Sequence, residues 1–123
     1  MRLDAERIIE RFRLFSGEAL DGSDPDRDAL CRALCGDCAR WVEESLREDP
    51  GEEPLPGAEA LAAAEAFAQL ALADQAGSPE SVSTPELKLQ QGSRARYAAA
   101  LAQEKRRAAA HLLREEHFYF GEA

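Results

Sequence analysis

The chain has 123 residues and a formal net charge of −9, from 15 basic and 24 acidic side chains. Alanine accounts for 24 residues and leucine for 15, whereas only five are β-branched: Ile8, Ile9, Val42, Val82 and Thr84. Branched side chains are what pack well on a pleated surface, so this composition excludes a sizeable sheet, and with it all-β and doubly wound α/β folds.

At this length one domain over residues 1–123, with one modest core, is expected. Charged residues stand in Met1-Arg2-Leu3-Asp4-Ala5-Glu6-Arg7 where a signal peptide would place its apolar region, and the longest apolar stretch, Leu61 to Ala73, is broken by Glu65 and Gln69. Neither secretion nor a membrane span is expected. Three cysteines, an odd number, fit reduced thiols in a cytoplasm better than a disulfide framework. Residues 1–60 carry 8 basic against 16 acidic groups and residues 61–123 carry 7 against 8, a balance that disfavours autonomous nucleic-acid binding. The basic group Arg94, Arg96, Lys105, Arg106, Arg107 and Arg114 reads as a solvated face or as a partner for the acidic first half.

In chain order, Asp4 is placed to cap a first helix over Asp4 to Phe15, with Ile8, Phe12 and Phe15 on one face and Ile9 beside them. Ser16-Gly17 ends it. Asp24-Pro25-Asp26 is a strong start signal, since an acidic cap precedes proline at the first helical position. The second helix is predicted from Pro25 to about Glu48, turning Leu30 or Cys31, Leu34 or Cys35, Cys38, Val42 and Leu46 inward. Residues 49–57, with three Pro and two Gly, read as an extended acidic connector inside one domain. A third helix, Ala58 to Ala76, is apolar around nearly its whole circumference and is expected to be central.

Residues 79–90 change character. Leu87-Lys88-Leu89-Gln90 alternates apolar and polar, which predicts a short β-hairpin turning at Thr84-Pro85-Glu86, or an extended arm. A last helix is predicted from Arg94, capped by Ser93, to about Glu116. The aromatic tail His117-Phe118-Tyr119-Phe120-Gly121 follows.

Cys31, Cys35 and Cys38 spell C-x3-C-x2-C, the spacing of the cluster-binding loop of radical S-adenosylmethionine enzymes, whose chemistry needs a flexible loop and a large barrel. Here the three lie on one helical stripe and read as core filler, with a zinc site completed by His111 or His117 as the minor alternative. His111 sits at ordinary i,i+4 spacing from Arg107 and Glu115 on the last helix. With no nucleophile, phosphate-loop or paired-carboxylate pattern, neither catalysis nor a cofactor is expected.

Taken in order, the amphipathic first helix, the second helix, the Ala-rich central helix, the Ser-Val-Ser…Leu-Lys-Leu segment, the Ala-rich last helix and the Leu-Leu-Arg-Glu-Glu-His-Phe-Tyr-Phe ending resemble small head-tail connector proteins of long-tailed bacteriophages and prophages, also called head-completion or DNA-packaging adaptor proteins. The resemblance runs from about Leu3 to Phe120. In such relatives the hairpin often turns through Gly-Asp, where this chain has Thr84-Pro85-Glu86. The resemblance implies a non-catalytic structural subunit of the virion, present in the bacterial host cytoplasm before assembly. It would form an oligomeric ring between portal and tail-side proteins, with DNA passing through unbound. On that reading Val82, Thr84, Leu87, Leu89, Phe118, Tyr119 and Phe120 are subunit-interface candidates, and Glu43, Glu44, Glu48, Glu52 and Glu53 would line an acidic lumen that repels DNA. Beside it stands the residue-level alternative of a small cytoplasmic helical adaptor or regulatory module.

Overall fold

In the computed structural model, which describes residues 3–47, 55–77 and 85–113, the first two helices begin where an aspartate side chain satisfies their first amides. Helix α1 runs Ala5–Ser16, with the Asp4 carboxylate accepting from the amides of Glu6 and Arg7 at 2.9 and 3.2 Å. Such a cap contributes about 1 kcal/mol. Gly17, at φ 78°, closes the helix by donating to the Arg13 carbonyl, a left-handed cap that glycine adopts without steric cost. Helix α2 runs Pro25–Ser45, capped by the Asp24 side chain, which accepts from the Arg27 amide.

Helix α3, Pro56–Gly77, packs against α1, α2 and the following helix, α4 (Pro85–Ala108), so it is the centre of an all-α bundle. Its first turn takes up Pro56 and Gly57, the last two residues of the predicted connector. Leu61, Phe67 and Leu70 are buried among alanines on almost every side. Burying each such side chain is worth about 1.5–3 kcal/mol. Against α3 lie Ile8 and Phe12 of α1 and the stripe Cys31, Cys35, Cys38 and Val42 of α2, continued by Leu46. The stripe resolves the predicted pairs in favour of the cysteines: Leu30 is exposed and Leu34 half-buried.

The extended or hairpin segment is corrected. Helix α4 runs Pro85–Ala108, so Leu87-Lys88-Leu89-Gln90 is helical, and the helix begins nine residues before Arg94. It lies along α3 through the buried small side chains Ala95, Ala98 and Ala102, whose size lets the backbones approach closely. The far end is corrected too. The helix stops at Ala108, and a 3₁₀ turn at Ala110–Leu112 brings Leu113 into an antiparallel bridge with Leu46. The Arg47 amide donates to the Leu112 carbonyl at 2.9 Å, and Arg47 Nη1 to the His111 carbonyl at 3.0 Å. His111 therefore sits exposed in that turn and not on the surface of a long helix. Burial of Leu112 and Leu113 outweighs the helix propensity of the run that precedes them.

Two ion-pair clusters lock the helices. At one end Arg27 grips Glu18 (2.8 and 3.2 Å) and Asp74 (2.5 and 2.8 Å) with two edges of its guanidinium. Arg94 of α4 adds bonds to Asp74 at 2.9 Å and to the Ser16 carbonyl at 3.2 Å, while its guanidinium lies 5.2 Å from the centre of the Phe67 ring. The loop that supplies Glu18 turns through left-handed residues at Gly17, Leu20 and Gly22. At the other cluster the buried Glu59 takes Arg7 in a two-bond fork at 2.9 and 3.0 Å and accepts the Asp4 amide at 3.0 Å.

Candidate functional site

Two turns of α2 and two of α3 expose side chains toward one another and toward the second half of α4. Asp37, Cys38 and Trp41 come from α2, Glu65 and Gln69 from α3, and Arg106 from α4; together they line a groove of about 330 Å³. Spacings of four residues, from Asp37 to Trp41 and from Glu65 to Gln69, put each pair on one helix face. Arg106 Nη2 donates to Glu65 Oε1, while Arg106 Nε is buried without an acceptor. Asp37 is paired only locally, with Arg40 at 3.1 Å, both side chains more than two-thirds exposed. Such a surface pair contributes little.

Sulfur chemistry at the groove is suppressed. Burial pushes the Cys38 thiol up to about 12, helped by the negative charges of Glu65 and Asp37. Burial likewise raises Cys35 to about 12 and Cys31 to about 11, with Glu18 adding to the latter. Thiols held protonated at neutral pH pack as small apolar groups, in keeping with their place on the buried stripe. Among the described residues no three His, Cys, Asp or Glu side chains are grouped to hold a metal ion. Iodoacetamide at pH 8 should therefore leave the folded chain largely unmodified over the time in which the urea-unfolded chain takes three additions, counted by mass spectrometry. Rapid single-site alkylation of folded protein would show one thiol to be activated.

A second concavity, of about 370 Å³, is lined by Arg7, Glu10, Arg11, Leu14, Pro56 and Glu59. Its central charges, Arg7 and Glu59, already satisfy each other, which makes it a structural clasp.

The residues singled out from sequence are dispersed. Leu89 stands 69% exposed on the second turn of α4 and Leu87 is half-buried on the first. Val82, Thr84, Phe118, Tyr119 and Phe120 lie outside the described residues, as do Glu48, Glu52 and Glu53. Of the acidic pair that is described, Glu44 is exposed, whereas Glu43 is half-buried and accepts the Leu3 amide at 2.6 Å. Glu43 thus holds the chain's first turn, a role its sequence neighbourhood does not reveal. The basic group divides similarly, since Arg94 and Arg106 pair inside the bundle while Arg96 and Arg107 remain on the surface.

The groove itself escapes sequence reasoning. Its one local clue is that the chain's single tryptophan sits one residue before Val42, next to the buried stripe and not within it. Compared with family models, with curated proteins and with solved structures, the chain finds no match.

Proposed function

We propose that this chain is a structural subunit of a phage or prophage head-tail connector, assembling into a ring through which DNA passes, and that it performs no catalysis of its own. The observation that carries the reading is Leu89. In the segment that the resemblance assigns to subunit contact, a leucine is left 69% exposed, on a helix whose other flank is tightly packed on α3. Leu72 of α3 and Tyr97 of α4 are also exposed large apolar side chains, at 59% each, suited to burial between copies. Of the segments over which the resemblance runs, the four helices follow in the same order in the bundle, whereas the Leu-Lys-Leu part of the extended segment lies in α4. No helix among the described residues is long and apolar enough to cross a membrane.

Mass photometry on concentrated protein should reveal a closed multi-subunit species. Leu89→Asp should reduce it to monomer while shifting unfolding stability by no more than about 0.5 kcal/mol, as expected for a surface position. A monomer at every concentration, with no portal, capsid or tail genes beside the coding sequence, would overturn the reading. The groove at Trp41 favours a second reading, a helical adaptor that receives a segment of another protein.

A further inference from the structure

The groove between α2, α3 and α4 has an aromatic and thiol floor with carboxylates above it. Its volume of about 330 Å³ is at the small end for a ligand pocket, suited to one or two side chains and too small for a helix. Of the two carboxylates that line it, Glu65 is bound by Arg106, while Asp37 meets only Arg40 at the exposed surface of its own helix. Glu65 and Asp37 both add to the burial that keeps the Cys38 thiol neutral.

Elsewhere in this molecule aromatic rings are covered by cations. Arg94 lies over Phe67 at 5.2 Å and Lys105 over Phe15 at 5.8 Å. Among the described residues no cation is stacked on Trp41, although tryptophan is the aromatic side chain that attracts cations most strongly. We infer that the groove is a docking site for an arginine or lysine side chain carried on an extended segment of a partner protein, the cation resting on Trp41 and paired with Asp37. Asp37 is free to change partners, because its present one, Arg40, is a solvent-exposed neighbour on the same helix. The twofold acidic excess of residues 1–60 adds a long-range field that draws basic segments toward α2. Charge complementarity thus selects a basic occupant over an acidic or purely apolar one. This preference does not depend on ring assembly, so failure of either experiment leaves the other standing.

Trp41, as the only tryptophan, reports on its own site. The full chain is titrated with an acetylated, amidated Ala-Arg-Ala-Arg-Ala peptide while Trp41 emission is followed, with Glu-for-Arg and Phe-for-Arg peptides run alongside. The arginine peptide should give a saturable change with half-saturation below about 1 mM. Asp37→Asn should weaken it by about fivefold, the loss of one favourable charge contact. Asp26→Asn, an exposed acid about three helical turns away on α2, should leave it unchanged. Asp37 is 69% exposed, so its variant keeps the fold, and an unchanged urea midpoint checks that. Lack of saturation, an equal response to the glutamate or phenylalanine peptide, or an equal loss in Asp26→Asn would overturn the proposal. So would a concentration-dependent emission change without peptide, which would assign the groove to a second copy of the chain.

Discussion

Phe67→Ala should destabilise the protein by about 3–5 kcal/mol, the range for removing a buried aromatic ring without collapse of the space it leaves. Phe67 is 2% exposed on the central helix, within the core cluster to which α1, α2 and α4 all contribute. The ring also meets the edge of Tyr97 at 6.1 Å and carries the Arg94 guanidinium on its face. Losing it removes a support of the ion-pair cluster at that end. A domain of this size has a net stability of about 5–15 kcal/mol, so the variant would sit near the limit of folding. Urea unfolding followed by circular dichroism should show a lower midpoint with the same slope. Tyr97→Ala provides the contrast, because Tyr97 is 59% exposed and loses only its edge-to-face contact, about 0.5–1.5 kcal/mol. Equal costs for the two variants would contradict the placement of Phe67 at the core.

How much of this architecture was legible beforehand follows from how local each cause is. The cap at Asp4 and the start at Asp24-Pro25 are set within one turn of helix, and periodicity over about three turns reveals the inward stripe through Cys38 and Val42 while leaving Leu30 or Cys31 and Leu34 or Cys35 open. The central position of α3 is equally plain, since a helix apolar all round has nowhere else to go. The start of α4 is an instructive miss. Pro85-Glu86 repeats the proline-then-acid signal of Pro25-Asp26, but Leu87-Lys88-Leu89-Gln90 alternates over four residues, too short a window to distinguish a strand from one turn of helix. That turn is largely exposed, with only Leu87 half-buried, and it continues a helix whose packing on α3 comes further along, at Ala95, Ala98 and Ala102.

Nothing in the local pattern reveals the groove or the ion-pair clusters. Arg27 meets Glu18 across 9 residues of chain and Asp74 across 47, while Arg94 meets Asp74 across 20. Each of these acids and bases, taken alone, looks like one more charge on a polar helix face. The same holds for Glu43, whose link to Leu3 spans 40 residues. Composition foretold an acidic surface, but only the assembled helices decide which carboxylates are committed inside and which remain for partners.

Arg27→Met should lower stability at pH 7 by about 2–3 kcal/mol, less than a fully buried pair would lose because its partners keep some contact with water. Glu18 and Asp74, with side chains 18% and 23% exposed, would then face each other with Arg94 as their shared cation. The pH dependence gives the sharper test. Hydrogen bonds from Arg27 are the main reason that both carboxylates are held below their usual range, against the opposing effect of burial. A carboxylate with a depressed folded-state pKa stabilises the fold fully above its unfolded pKa, and that stabilisation is lost as pH falls through the folded-state value. The native chain should accordingly lose stability on acidification from about pH 4 downward, where free carboxylates begin to protonate. Arg27→Met has already forfeited most of this contribution, so its stability should fall less steeply over the same range and the gap between the two proteins should narrow by pH 3. Arg27→Lys keeps the charge but not the two-edged fork that serves Glu18 and Asp74 at once, and should recover less than half of the loss. Urea midpoints of the three proteins at pH 7 and pH 3 decide the matter: a gap of the same size at both pH values would mean that Arg27 acts through packing alone and that the two carboxylates are not its energetic partners.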